Sequence, residues 1–471
     1  MSVETRSPLP EAQAGHRPTG THAERYLARL SELGTPPPVL VEASRRSQLL
    51  TTAYGDRFLP RPVFLDAADR TQLATDLNLL HDLLASLPER LFDGSRSDLA
   101  RAVGMAPAQV AAVGRSSGPA PVRIARADLY RTRTGFRLLE FNMGSALGGF
   151  ENAELNRAML TRPELQDFAD EEQLSFTDTL RGFVATMLAA CPQVTAERPV
   201  VALADWPSSY ETLEPRLRFM ADLMADMGVD AVPCHVGELH ERGGRLEIHG
   251  RPVDIVYRFF LIEDLIDGPD APALVEPVLA AAERGTVALF APMDSELYGN
   301  KGTLALLSDD RHRASFTTAE LDFIDRFLPW TRHVRRTATA PGGEQVDLLR
   351  HAEQHQDDLV LKPTLMHGGI GVVPGWTVSP QEWSARLSDA LDGPFVLQQR
   401  VRPLAEPFPA LDRPQIRDLV LNWGVFLVDA AATGTDGFGG AMVRGTADPE
   451  VGVVSMGNGA AVGCCFHQEQ R

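Results

Sequence analysis

The chain has 471 residues, of which 44% are hydrophobic and 23% charged, a composition typical of a soluble globular protein with two or three domains. Its formal net charge of −18 argues against nucleic acid or an anionic membrane surface as a partner, since both attract basic proteins. The sequence has no apolar run long enough to span a membrane and no N-terminal signal segment. Its four cysteines lack metal-ligand spacing, which predicts reduced thiols in a cytoplasmic protein.

The N-terminal part is predicted to be a tail followed by helices. Residues 1–24 are polar and rich in proline, glycine and threonine, which predicts disorder. Helices are expected on either side of a proline-rich break at Pro36–Pro38, and a longer one over Asp66–Leu87, where leucines recur on one face. Pro88 has no N–H to continue this helix and is predicted to end it. A further helix is expected near Ser97–Val113.

Two strands, Arg123–Tyr130 and Phe136–Asn142, are predicted to form a hairpin through a polar turn. Side chains alternate along a strand, so Asp128 and Glu140 should lie nearly opposite each other, and paired carboxylates across a ladder are normally destabilising. A hard cation between them would remove that cost, and Mg²⁺ binds one or two carboxylates together with waters and phosphates. Asp128, Glu140 and the amide oxygen of Asn142 are therefore candidate metal ligands. The alternative is a solvated hairpin face with a charged rim.

A glycine-bearing loop, Met143–Gly149, connects the hairpin to a helix predicted at Phe150–Leu160. Such a loop can meet an anion with its backbone N–H groups where the helix begins, and Ser145 could add a hydroxyl there. The alternative is a simple connection between a strand and a helix.

The segment 191–290 is predicted to be a Rossmann-like α/β region that follows a helix. A strand, a helix and a second strand form a unit consistent with a parallel sheet, and two more strands follow. The region lacks the glycine fingerprint of dinucleotide-binding folds, so no cofactor is assigned to it. The predicted elements are helices at Phe176–Ala190 and Thr212–Met227 and strands at Pro199–Ala204, Asp230–Val236, Arg245–His249 and Val253–Phe260.

Only two of the 45 basic residues are lysines, and both fall in the C-terminal third. Lys301 lies where a helix is predicted to begin, and Lys362 lies in a predicted strand, Leu359–Pro363, that runs into the glycine-rich loop Thr364–Gly371. A lysine beside a flexible glycine loop suits a lid over a triphosphate, because glycine permits positive φ and close approach of the backbone to phosphate. Further strands are predicted at Pro394–Val401, Leu419–Asp429 and Gly440–Thr446.

These motifs, in their order over residues 121–459, resemble the synthetase domain of the glutathionylspermidine synthetase family, a circularly permuted branch of the ATP-grasp ligases. The metal hairpin precedes the lysines, whereas ordinary ATP-grasp enzymes place their metal ligands last. The matching segments are Arg126-x-Asp128, Glu140-x-Asn142, Ser145, Val253–Asp264, Asn300-Lys301, the Lys362 strand with its glycine loop, Phe395–Gln398 and Arg444 with its two neighbours.

The resemblance implies an α/β (α+β) chain with a circularly permuted ATP-grasp fold, a Rossmann-like region and an N-terminal helical segment. The helices and the metal hairpin would occupy residues 25–190, the Rossmann-like region 191–290, and the nucleotide-binding region with its glycine-rich lid 291–471. It also implies ATP and Mg²⁺ as cofactors. The residues carried over are Arg126 and Arg444 for catalysis, Lys301, Lys362, Gly368, Gly369, Gly371 and Gln398 for ATP, Asp128, Glu140 and Asn142 for the metal, and Ser145 for the substrate.

The implied function is an ATP-dependent carboxylate–amine ligase that joins a small acid to an amine through an acyl phosphate. The loop after Asn142 departs from the family's Asp-Thr-Pro, Gln399 stands where an acidic residue is usual, and no amidase domain is recognised. The identities of the acid and the amine therefore stay open. Two alternatives are a phosphotransferase that uses the same nucleotide site and a catalytically silent nucleotide-binding protein. A homodimer is one assembly compatible with the sequence.

Overall fold

The structure, a computed structural model, describes residues 21–36, 41–115, 118, 120–391, 393–412 and 415–469. Most of the predicted tail, residues 1–20, lies outside the described residues. The first helix begins at His22, after Thr21 and Glu24 have formed a capping box. The predicted end of the tail at residue 24 therefore falls inside this helix.

The N-terminal part is mainly helical and contains one long hairpin. Its helices are α1 (His22–Glu32), α2 (Glu42–Arg46), α3 (Gln48–Tyr54), α4 (Ala67–Leu91), α5 (Arg96–Ala102), α6 (Pro107–Arg115), α7 (Asn152–Leu160), α8 (Pro163–Glu172) and α9 (Thr179–Ala190). Its strands are β1 (Val63–Leu65), β2 (Ala125–Thr132), β3 (Gly135–Met143) and β4 (Leu174–Ser175). Strands β2 and β3 pair antiparallel with Asp128 opposite Glu140, which confirms the predicted hairpin and its register.

The middle part contains a parallel sheet of four strands. The strands are β5 (Val200–Asp205), β6 (Asp230–His235), β7 (His240–Arg242), β8 (Arg245–Ile248), β9 (Arg251–Pro252), β10 (Ile255–Arg258) and β11 (Ala288–Phe290), with helices α10 (Pro207–Ala225) and α11 (Ala271–Glu283). The parallel sheet has the order β11-β10-β5-β6, so the predicted strand–helix–strand unit is confirmed. Strands β7, β8 and β9 form a separate antiparallel sheet.

The C-terminal part forms a small antiparallel sheet and completes the largest sheet of the described chain. Its helices are α12 (Ser295–Tyr298), α13 (Lys301–Ser308), α14 (Thr318–Phe327), α15 (Leu348–Gln354), α16 (Pro380–Ala390) and α17 (Ala430–Thr433). Its strands are β12 (Thr331–His333), β13 (Thr337–Thr339), β14 (Gln345–Asp347), β15 (Leu359–Pro363), β16 (Val373–Pro374), β17 (Phe395–Gln399), β18 (Ala405–Pro409), β19 (Ile416–Leu427), β20 (Phe438–Thr446) and β21 (Ala461–Gln468).

Two sheets position the candidate site. The small sheet has the order β12-β17-β15-β16. Strands β13 and β14, which lie between β12 and β15 in sequence, form a separate two-stranded sheet. The large sheet has eight strands: β1-β21-β20-β19-β2-β3, with β18 also paired to β19 and β4 to β21. The early hairpin therefore lies in one sheet with the last strands of the chain. The leucine face of α4 is buried with this sheet in the main hydrophobic core.

Two helix predictions are corrected. Pro88 lies inside α4, which continues beyond it. The proline removes one N–H donor near the helix end, but its carbonyl accepts from the N–H groups of Phe92 and Gly94 at 2.9 and 3.0 Å, so the last turn is kept. The single helix predicted near Ser97–Val113 is two helices, α5 and α6. Gly104, with a φ of +86°, ends the first of them in a left-handed conformation.

All four cysteines are buried and none forms a disulfide, which agrees with the predicted reduced thiols. Burial raises the pKa of the Cys191 and Cys234 thiols to about 12, so they remain protonated at neutral pH. Within the described ranges, no helix combines the length and the apolarity that crossing a membrane requires.

Candidate active site

A cleft of about 950 Å³, part of it open to solvent, lies between the small antiparallel sheet and the large sheet. Residues of β15 and β17 line one side, and residues of β2, β3 and β20 line the other. The candidate residues in its wall are Arg126, Asp128, Glu140, Lys362, Gly368, Gly369, Gln398 and Arg444. Those outside this wall are Asn142, Ser145, Lys301 and Gly371.

Asp128 is almost fully buried and is bonded by two guanidinium groups. The Nε of Arg126 donates to its Oδ1 at 2.8 Å, and a terminal nitrogen of Arg444 donates to its Oδ2 at 2.6 Å. Burial alone would raise the pKa of this carboxyl, but the two guanidiniums outweigh burial and hold the pKa well below its ordinary value. The two arginines therefore offset the repulsion expected between Asp128 and Glu140.

Glu140 is partly buried between an amide and an ammonium group. The Nδ2 of Asn142 donates to its Oε1 at 3.2 Å, and the Nζ of Lys301 lies 3.6 Å from its Oε2. Lys301 is the first residue of α13, which Asn300 caps by accepting from the N–H of Gly302 at 2.7 Å. One of the chain's two lysines thus meets the predicted carboxylate directly, although 161 positions separate the two in sequence.

Lys362 places its ammonium group inside the cleft, against the hairpin. Its Nζ donates to the Oε1 of Gln398 on the adjacent strand at 2.6 Å and to the carbonyl oxygen of Leu139 at 3.1 Å. Burial lowers the pKa of Lys362 to about 8, although Glu140 and Asp128 oppose the shift. The ammonium therefore remains mostly charged at neutral pH. Both lysines contact the same strand, β3, or its side chains.

The glycine loop is folded onto the hairpin. The Nζ of Lys301 donates to the carbonyl oxygen of Met366 at 2.8 Å, and Glu263 accepts from the N–H of Met366. The Nδ1 of His367 lies 3.3 Å from the Oδ1 of Asn142, and burial lowers the pKa of this imidazole. The loop glycines with positive φ are Gly368 at 67°, Gly369 at 82° and Gly371 at 72°, a conformation that glycine adopts without strain.

Ser145, predicted to contact substrate, is buried in this fold, and its hydroxyl is bonded to two backbone groups. Its side chain is 1% exposed. Its Oγ donates to the carbonyl oxygen of Arg258 at 2.6 Å and accepts from the N–H of Ala291 at 2.8 Å. These bonds tie the loop after β3 to the ends of β10 and β11, because buried backbone groups require hydrogen-bond partners.

Sequence reasoning missed Glu263, whose carboxylate holds the glycine loop. Burial raises its pKa to about 6, and its Oε1 also lies 3.6 Å from the Nε2 of His367. Glu263 belongs to the motif segment Val253–Asp264 and lies just beyond the end of a parallel strand, where ligand-binding residues often occur. That position was the available signal, but its partner Met366 is 103 residues away.

The site has an excess of positive charge. In the described part of the chain, no three His, Cys, Asp or Glu side chains converge as a metal site would require. A cation would find two carboxylates and the amide oxygen of Asn142, which are oxygen ligands of the kind that Mg²⁺ prefers. The charged groups are Arg126, Arg444, Lys301 and Lys362, against Asp128 and Glu140. With Glu263, whose pKa of about 6 leaves it mostly ionised at neutral pH, four cations face three carboxylates, and the remaining positive charge suits an anionic ligand.

No protein-family profile and no curated protein sequence matches the chain. Among solved structures, the fold is similar to a glutathione synthetase-like effector from Globodera pallida in its apo form. The TM-score is 0.55 at 14% sequence identity, and the match covers 92% of this chain and 98% of the other. At this identity the likeness concerns the fold alone. The chain thus has a mixed α/β fold like that of a glutathione synthetase-like protein.

Proposed function

We propose that this chain is an ATP-dependent ligase with a circularly permuted ATP-grasp fold, joining the carboxylate of a small acid to an amine. The similarity of its fold to that of a glutathione synthetase-like effector supports a ligase-like fold. When bound, ATP with Mg²⁺ supplies a phosphoryl group that activates the carboxylate as an acyl phosphate.

The observation that carries the proposal is the meeting of both lysines with the acidic hairpin. Lys301 lies 3.6 Å from Glu140, and Lys362 lies 3.1 Å from the carbonyl oxygen of Leu139. All other basic residues of the chain are arginines. Lysine offers a compact charge on a flexible stem that suits phosphate. A scattered pair of surface lysines would have argued against a shared nucleotide.

The residues of the small sheet are proposed to hold the nucleotide. Lys362 and Gln398 are neighbours on β15 and β17, so they can meet the ligand from one side of the cleft. Lys301, at the start of α13, bonds the glycine loop at the carbonyl oxygen of Met366 and lies near Glu140, so it would reach the phosphates from beyond the cleft wall. The loop, including Gly368, Gly369 and Gly371, would exclude water and so protect the activated carboxylate from hydrolysis.

The hairpin is proposed to handle the charge of the transferring group. Asp128, Glu140 and Asn142 provide the oxygen atoms that would hold Mg²⁺. Arg126 and Arg444 already point at this position through their bonds to Asp128, and guanidiniums stabilise negative charge that develops in the transition state. Each oxygen of Asp128 accepts one arginine hydrogen bond and keeps a second lone pair with which it could bind the cation.

The test is ADP release from mixtures of acids and amines. The proposal expects release only when ATP, an acid and an amine are all present, with the condensed product detected by mass. Lys301→Met and Lys362→Met should each lower the affinity for a non-hydrolysable ATP analogue, whereas Arg402→Met, at an exposed pair with Asp358, should leave it unchanged. Normal affinity in both lysine variants contradicts the assignment. ADP release with a stable phosphoester would instead indicate a phosphotransferase.

A second candidate function is nucleotide binding without turnover. It is favoured by one observation, since both oxygens of Asp128 are engaged by arginines. In that case the ATP analogue binds in a lysine-dependent manner, but no acid–amine pair gives ADP, and Mg²⁺ does not change the affinity.

A further inference from the structure

A small notch lies beside the cleft, above Gly148 on the loop between β3 and α7. Gly148 is exposed, and a Cβ built on it would lie 4.0 Å from a terminal guanidinium nitrogen of Arg126 and 4.0 Å from one of Arg216. Both distances start from one point, so the two nitrogens are at most 8.0 Å apart. Apart from chain neighbours, no other described atom comes within 4 Å of that point. The glycine therefore leaves a space that two guanidinium groups border.

The guanidinium of Arg216 is held in place from behind. It donates to the Oε1 of Glu151 at 2.5 Å, and the Glu151 side chain is fully buried. The guanidinium carbon lies 5.6 Å from the centre of the Phe150 ring. The Nε of Arg216 is buried and has no hydrogen-bond partner within the described ranges. The side chain is thus positioned without using all of its donors.

The guanidinium of Arg126 is fixed as firmly. Its Nε donates to Asp128, and one terminal nitrogen donates to the carbonyl oxygen of Gly148 at 3.1 Å. Ser145 ties the same loop to buried backbone on either side. Two oriented cations and a rigid floor make a prearranged site for an anion, since little conformational freedom is lost when it binds.

We propose that this notch, formed by Gly148, Arg126 and Arg216, binds a carboxylate of the acid substrate; the assignment rests on the proposed ligase function. Charge-assisted N–H···O bonds are about 2.8 Å long, so one carboxylate can reach both guanidiniums. Arg126 lines the proposed nucleotide cleft, whereas Gly148 and Arg216 do not, so the notch adjoins the cleft at Arg126 and extends beyond it. Arg126 also bonds Asp128, which places an acid held here next to the proposed site of phosphoryl transfer.

The kinetic test compares two arginines on helix α10. Arg216→Gln should raise the KM for the acid by about tenfold or more, as expected for loss of one charge-assisted bond, and leave the KM for ATP unchanged. The matched control is Arg218→Gln, whose side chain is 69% exposed and pairs with Glu214; it should behave like wild type. Gly148→Ala should act like Arg216→Gln, because its φ is not in the left-handed region and the methyl group occupies the notch. An unchanged KM for the acid in both notch variants overturns the inference.

A binding test separates this inference from the ligase proposal. Crystals soaked in selenate should show an anomalous selenium peak bonded to Arg126 and Arg216 in the wild type but not in Arg216→Gln. Selenate found elsewhere but absent from the notch overturns the anion site, whatever the activity. A notch peak in a protein that never releases ADP overturns the ligase function and the acid assignment, while the anion site stands.

Discussion

Replacing Asp128 by asparagine is expected to destabilise the chain as well as to impair the site. The side chain is 3% exposed, and it accepts bonds from Arg126 and Arg444 at 2.8 and 2.6 Å. Asparagine keeps the shape of the side chain but removes its charge. Its NH₂ group also replaces one acceptor oxygen by a donor, which would face the N–H donors of one arginine. Breaking a buried ion pair by removing one partner costs about 3–5 kcal/mol. Because the arginine side chains remain 16% and 14% exposed, we expect the lower end, about 3 kcal/mol.

The assay is the thermal unfolding midpoint of Asp128→Asn against wild type. The control is Asp98→Asn, which breaks an exposed pair with Arg101 and should cost less than about 1 kcal/mol. Adding Arg444→Gln to Asp128→Asn should restore part of the stability, because one uncompensated charge is then removed. The native pKa of Asp128 lies below its unfolded value near 4, so the stabilisation is present above about pH 4 and is lost as pH falls further. Equal midpoints for the two single variants would refute this reasoning.

Three further outcomes are expected. Raising the pH through about 8 should weaken binding of the ATP analogue, because burial lowers the pKa of Lys362 to about 8 and the side chain then loses its charge. The same pH dependence in Lys362→Met would show that another group is responsible. Ser145→Ala should destabilise the fold by about 2 kcal/mol, since it leaves a buried N–H and a buried carbonyl short of a partner, and it should leave the KM for the acid unchanged. A normal unfolding midpoint with a raised KM would instead support the predicted substrate contact. Glu263→Ala should speed amide hydrogen exchange in residues 364–371, because the Met366 N–H loses its acceptor. The control is Asp267→Ala, at an exposed position. Equal exchange rates in the two variants would contradict the hydrogen bond between Glu263 and Met366.

Several features of the fold and the site could be predicted because they depend on nearby residues. Side-chain alternation placed Asp128 opposite Glu140, and the paired strands show that register. The strand around Lys362 has the predicted bounds, and Asn300 caps the helix that begins at Lys301. The failure at Pro88 has a local cause too, since a proline in the last helical turn removes only one donor.

The sequence by itself therefore determined which segments carry the candidate functional groups: an acidic hairpin, two lysines and a glycine loop. Only the tertiary structure decided their partners. In the folded chain, Asp128 pairs with Arg444, which is 316 residues away, and the N–H of Met366 donates to Glu263. The Ser145 hydroxyl bonds backbone groups at the ends of two strands and does not face the cleft. Periodicity depends on the geometry of neighbouring residues, whereas the pairing of buried charges depends on which distant strands share a sheet. Each such group must find a partner wherever the folded chain supplies one.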